Sequence, residues 1–182
     1  MSTRSDPGGG RILLATDGSE AADLAARAAI ELAEGAGFEL HVVYVDPLPG
    51  FLTEGHSSRV GYDRALYEEI VEESRQKLRR LTWRVKAAGG TVAGSHLGLR
   101  GVVEEIVALA DEIGADLVVV GSRGRGRMRR ALAGSVSGAV VRRARCPVMV
   151  VPSRRAAGGL MARVRGWLRS RKGTPGEVAT RG

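Results

Sequence analysis

Short apolar runs, each followed by a stretch of helical periodicity, recur along most of this 182-residue chain. The sharpest is Asp116–Val120, Asp-Leu-Val-Val-Val, too short for a helix and lacking polar alternation. Such a run is what a parallel strand buried on both faces requires. Arg11–Thr16, Phe38–Val45, Thr91–Leu97 and Pro147–Val151 read as four further strands. Between them lie segments of helical spacing. Ser19 is a candidate N-cap for a helix with Leu24, Ala28 and Leu32 on one side, ending at Gly35 or Gly37. Asp63–Ala88 carries Leu66, Ile70, Leu78, Leu81 and Val85; Val102–Ile113 carries Val103, Ile106, Val107 and Ala110; Ser135–Ala144 is shorter. Crossovers of this length demand parallel pairing. The expected fold is therefore α/β, an open three-layer sandwich with a five-stranded parallel sheet and helices on both faces.

Charge divides the chain. Residues 153–182 hold eight Arg and Lys against Glu177 alone, a net +7, which leaves +1 of the total +8 to residues 1–152. The organisation read from this shift is a flexible N-terminus (1–10), one folded domain (11–152) and a basic C-terminal extension (153–182). A nearly neutral domain argues against sequence-specific nucleic-acid binding. In the long helix, Glu68, Glu69, Glu72 and Glu73 precede Arg75, Lys77, Arg79, Arg80 and Arg84, an order that complements the helix dipole and reads as a solvated face. A single cysteine, Cys146, excludes an internal disulfide framework and reads as a buried, inert thiol. No apolar run approaches membrane-spanning length and residues 1–10 lack a signal-peptide core, so the expected location is cytoplasmic.

After the fourth strand the chain reads Gly121-Ser-Arg123-Gly124, then nine residues, then Gly134-Ser135-Val136-Ser137 at the start of a helix. In open parallel sheets, ligands bind beyond the carboxyl ends of the strands where strand order reverses. Glycines there let backbone N–H groups approach an anion and form a nest, and a helix start adds unpaired N–H groups. Ser135 and Ser137 bring hydroxyls. The alternative from spacing alone is a plain turn with Ser135 as N-cap. A Walker loop (Gly-x4-Gly-Lys-Ser/Thr) and a dinucleotide fingerprint (Gly-x-Gly-x-x-Gly after the first strand) are both absent.

The spacing Gly-x2-Gly-x9-Gly-Ser resembles that of the universal stress protein (UspA-type) family, in its ATP-binding subgroup. Three further segments match in order: Ala15-Thr16-Asp17-Gly18-Ser19, Gly114-Ala115-Asp116-Leu-Val-Val-Val-Gly121, and Arg143-Ala-Arg-Cys146-Pro147-Val-Met-Val-Val151-Pro152. The resemblance covers about residues 10 to 152 and implies strand order 3-2-1-4-5. It assigns Gly121, Gly124, Gly134, Ser135 and the Val136 backbone to the phosphates and ribose of ATP or another adenine nucleotide, with or without Mg. It sets Asp17 near adenine and ribose, and Ala15, Thr16 and Val45 along the base pocket. It also implies a homodimer through the edge strand 147–151. Asp17 has a competing role as a helix cap. The loop is unusually cationic; Arg123 or Arg125 is a candidate phosphate contact, Arg129 and Arg130 solvated alternatives. The turn Gly98-Leu-Arg100-Gly101 departs from the family's usual Gly-x-Pro, which leaves that wall of the cleft open.

Nothing in the sequence compels catalysis. His41, His56 and His96 are dispersed, and none shares a metal-ligand spacing with another His or Cys. His41 reads as structural, whereas His56 and His96 are each placed where a cleft contact is conceivable. No base or metal set for phosphoryl transfer is evident. The expectation is a stress-response binding switch. A nucleotide-free adaptor and a weak ATPase are the alternatives. In the extension, Leu160, Met161, Val164, Trp167 and Leu168 share a helical face among cations, so a 160–172 helix would either contact an anionic membrane or protein partner, or pack on the domain.

Overall fold

A computed structural model describes residues 9–50, 64–122 and 135–152. The expected Asp46–Tyr62 loop beyond Gly50, most of the glycine loop and the whole basic extension lie outside the described residues. The elements run β1 (Arg11–Ala15), α1 (Glu20–Ala36), β2 (Glu39–Val45), α2 (Arg64–Ala87), β3 (Val92–Gly98), α3 (Val102–Glu112), β4 (Leu117–Gly121), α4 (Ser135–Arg143) and β5 (Val148–Val151). Every strand expected from the apolar runs is present within a residue or two. All are parallel, in the order β3-β2-β1-β4-β5.

The sheet separates two cores. On one face α1 covers Ile12, Leu14, Leu40, Val42, Val119 and Val151, with Val85 of α2 joining at the side. On the other, α3 and α4 close over Leu13, Val43, Val118 and Val120 through Ile106, Ala110 and Val140. Strands β1 and β4 thus need apolar residues at successive positions, and this explains their unbroken sequence. Burying each such side chain contributes about 1.5–3 kcal/mol.

Helix α1 is suited to close approach. Its inner face is mostly alanine (Ala21, Ala22, Ala25, Ala28, Ala29), all buried. Ser19 caps it, its Oγ accepting from the Ala22 amide at 3.3 Å, and Gly37 ends it at φ 71° with its N–H donating to Ala33. That C-terminal turn also takes the Phe38 amide, donated to Ala33 O, so β2 starts one residue later than its apolar run.

Helix α2 departs from the expected face in an instructive way. Its buried residues are Val71, Ser74, Leu78 and Val85, while Leu66, Ile70 and Leu81 are only half-buried. A serine with no exposed surface sits in the middle of the stripe. Its partner, Asp46, lies across the chain beyond β2.

Candidate functional site

The reversal of strand order falls between β1 and β4, where Ala15 pairs with Val43 on one side and Val120 on the other. Adjacent parallel strands here continue into loops leaving in opposite directions, so their carboxyl ends bound a crevice. The chain leaves β1 through a tightly held turn. The Thr16 amide donates to Val43 O at 3.0 Å, the Gly18 amide to Thr16 Oγ1 at 3.3 Å, and the Ser19 amide to Asp17 Oδ1 at 3.0 Å. Asp17 therefore folds its carboxylate over the start of α1, in the manner of an Asx turn. The cap of α1 is Ser19 and not Asp17, and the Asx turn is compatible with the assignment of Asp17 to a ligand, since a carboxylate offers about four acceptor sites.

The expected base-pocket residues divide between the two faces of the sheet. Ala15 and Val45 lie on the α3 side with Val43 and Val120. Thr16 is turned the other way, toward a groove between α1 and α2 lined by Asp23, Arg27, Trp83 and Arg84. Its buried hydroxyl holds the turn. Alternation along a strand dictates this: consecutive residues 15 and 16 cannot share a face.

Gly121 ends β4 with a second constraint. A Cβ at this position would stand 2.8 Å from Ala21 C and 2.9 Å from Ala21 O, inside the first turn of α1. The glycine is demanded by helix packing on that side, whatever its backbone does for a ligand. The next residue, Ser122, is buried and its amide donates to Val151 O at 2.7 Å, which holds the exit from β4 against β5. Arg123, Gly124 and Gly134 lie outside the described residues, as does the side chain of Ser135. Helix α4 begins at Ser135 with Val136 exposed and Ser137 almost fully buried, and its Val140 is seated on the α3-side core. The helix start is thus fixed on the side of the sheet that Ala15 and Val45 face.

Two polar groupings at the sheet escaped the sequence reading. Asp46, directly after Val45, accepts from Ser74 Oγ at 2.9 Å and from Lys77 Nζ at 3.3 Å, and its own amide donates to Gly98 O. Burial works to raise its carboxyl pKa, but hydrogen bonds from Ser74, Tyr44 and Lys77 outweigh that and hold it below the usual value. An acid directly after β2, as Asp17 follows shortly after β1, was the available signal. The other grouping brings His41 and His96 together, Nδ1 to Nε2 at 3.1 Å. Dispersed in sequence, they meet because β2 and β3 pair. His96 faces His41, and that contact takes the place of the cleft contact considered for it.

Near the departing turn of the cleft wall, Arg100 pairs with Glu105 at 2.7 Å, and Gly98 packs against Val45 and Glu105. On the opposite wall Arg84 pairs with Asp23 and reaches the Gly18 carbonyl, tying α2 to the turn that carries Asp17. Cys146 is half-buried, and burial pushes its thiol above the ordinary value, in keeping with an inert sulfur. No group of three or more metal-ligating side chains occurs among the described residues. No helix among them is long and apolar enough to cross a membrane.

This arrangement has counterparts among known proteins. The family model described as "Universal stress protein family" matches residues 10–152. A universal stress protein of Methanocaldococcus jannaschii is 32% identical over 146 residues, covering 78% of this chain and 81% of the relative. Among solved structures, a universal stress protein in complex with cAMP superposes with a TM-score of 0.57 at 26% identity, covering 80% of this chain and 98% of the other. The universal stress protein of Archaeoglobus fulgidus in complex with dAMP gives a TM-score of 0.55 at 26% identity, covering 78% and 96%. With its motifs in register, its strand order and its crevice between β1 and β4, the chain belongs to the universal stress protein family.

Proposed function

We propose that this protein is an adenine-nucleotide-binding stress protein that takes ATP in the crevice at the carboxyl ends of β1, β2 and β4 and acts as a dimeric binding switch. The observation that supports the reading is that Ala15 and Val45 share one face of the sheet with Val140 of α4, while Asp17 follows β1 at its carboxyl end. Relatives of the same fold hold cAMP and dAMP, which share the adenine ring with ATP. Ala15 and Val45 form an apolar wall for a base, and Asp17 is an acceptor for a ribose hydroxyl or the exocyclic amine. Gly121, Gly124, Gly134, Ser135, Val136 and Ser137, with Arg123, are assigned to the ribose and phosphates, where backbone N–H groups and the helix start favour anions. Bound with a triphosphate there, Mg would neutralise part of the phosphate charge.

The dimer is assigned to β5. Among the described residues this strand is an edge with its outer side unpaired, and such edges pair readily with a second copy. Exposed Val136 and Val141 of α4 add apolar surface. The cytoplasm is the expected compartment, and the 160–172 segment is assigned to a protein or anionic-membrane partner.

The test is mass spectrometry of small molecules released from denatured, purified protein, joined to thermal shifts with ATP, ADP, AMP and cAMP. An adenine nucleotide in the extract, and a shift reduced in Asp17→Ala, is the expected result. An empty extract with no shift would overturn the reading in favour of a nucleotide-free adaptor. Metal-dependent turnover abolished by Asp17→Ala would mark the protein as a slow ATPase. Gly121→Val is unsuitable as the diagnostic variant because its Cβ meets α1.

A further inference from the structure

The His41–His96 pair has a geometry that regular strands would not produce. The strand pairing of β2 with β3 shifts register between Leu40 and His41, so Leu40 faces Val92 while His41 faces Gly94. An irregularity of this kind re-aims side chains and is commonly retained for that purpose. Gly94 is the second local adjustment. A Cβ there would stand 2.5 Å from His41 Nδ1 and 2.9 Å from His96 Nε2, so any other residue would occupy the space where the two rings meet.

The rings are inclined by only 27°, and their centroids are 5.4 Å apart. That separation exceeds the 3.1 Å between the facing nitrogens by about two ring radii. The imidazoles therefore meet edge to edge with the nitrogen lone-pair directions opposed, as a single N–H···N hydrogen bond requires. Such a bond has one hydrogen between two nitrogens. It forms with both rings neutral, and it survives one added proton, because one facing nitrogen still lacks a hydrogen. Once both rings are imidazolium, both facing nitrogens carry a hydrogen, the bond is lost, and two positive charges stand in contact.

The surroundings resist a charge on both rings. His41 Nε2 is buried, has no hydrogen-bond partner among the described residues, and lies 3.7 Å from Glu39 Oε2. Glu39 in turn pairs with Arg11 Nε at 3.1 Å, which reduces what it can give a second charge. Glu112, from the last turn of α3, is the remaining charge acting on His96. We propose that His41 and His96 form an acid-sensitive latch between β2 and the edge strand β3, closed while the rings share at most one added proton and released when both are charged. Burial, and then the neighbouring His41, lower the affinity of His96 for a proton, while Glu112 opposes them. With His96 depressed in the folded chain, the unfolded chain binds more protons under acid. The latch therefore contributes its full stability above the ordinary histidine value of 6.5 and loses it as pH falls below that toward the depressed value.

The experiment is a ring titration by NMR in a His56→Asn background, so that only the pair reports, with β3 amide exchange followed at the same pH values. The expected result is two separated midpoints, the lower at least one pH unit below the other, with β3 amides losing protection through the lower step. Thermal unfolding from pH 8 to pH 5 should fall more steeply in this background than in the same protein carrying His96→Asn. Two rings titrating independently at the ordinary value would overturn the proposal, as would equal pH slopes for the two proteins. A stoichiometric zinc complex lost with His96→Asn would also overturn it, since the facing lone pairs would then serve a metal. Where His96→Asn does not fold, the ring titration decides alone.

Discussion

The centre of the sheet and its β3 edge are built from the same kind of backbone pairing but carry opposite chemistry. In β1 and β4 the central residues are fully buried, Ile12, Leu13 and Leu14 against Val118 and Val119, with helices on both faces. In β3 the only buried residue is Gly98, and the strand instead presents Gly94, Ser95 and His96. The centre gains stability from apolar area. The edge, with less to bury, admits polar pairs whose strength varies with pH. The crevice lies at the carboxyl end of the apolar centre, while the histidine pair joins β2 to the less buried edge strand.

The largest expected effect tests the centre. Leu13→Ala removes a side chain with no exposed surface and should cost about 2–5 kcal/mol, read as a lower denaturant midpoint with an unchanged slope. A loss below about 1 kcal/mol would mean that this core collapses around the cavity, and the contrast with β3 would weaken. Gly121→Val should come next, because its Cβ meets the Ala21 backbone; overpacking of this kind costs about 1–3 kcal/mol and should displace α1, seen in the amide spectrum of residues 20–26.

Ser74→Ala probes the polar tie between α2 and the end of β2. Loss of its hydrogen bond to Asp46 should cost about 1–2 kcal/mol. It should also let the Asp46 carboxyl titrate higher, since Ser74 is the foremost of the groups holding it down. The sign follows from linkage: a depressed carboxylate contributes stability above its unfolded value of 3.8, lost as pH falls below it, so the variant should lose less on acidification. Asp17→Ala should leave the fold nearly intact and weaken adenine-nucleotide binding about tenfold, equivalent to one charge-assisted hydrogen bond, by calorimetric titration. Smallest of all, Trp83→Ser at a side chain 68% exposed should change stability by no more than about 0.5 kcal/mol. A larger loss would show that some segment of the chain covers this tryptophan.

The amino-acid sequence by itself determined the order of the elements. Unbroken apolar runs such as Leu117–Val120 demand burial on both faces, and this in turn demands parallel strands with helices on each side. It also determined local punctuation, with Ser19 and Gly37 bounding α1, because caps and left-handed turns depend on residues next to one another in the chain. The motif spacing pointed to the family, and Asp17 and Val45 stand at the carboxyl ends of β1 and β2. What local pattern could not decide was which side chains meet across elements. Thr16 and Ala15 were grouped together, yet strand alternation sends them to opposite faces. Gly121 read as a phosphate position, and only the seating of α1 on β4 revealed that Ala21 also requires it. Ser74 was hidden inside an apolar stripe, and its partner lies 28 positions away. The histidines, 55 positions apart, became one pair through a register shift beside Gly94. Contacts of this kind depend on strand register and helix docking, which are settled by the packing of the whole sheet, and no window of neighbouring residues contains them.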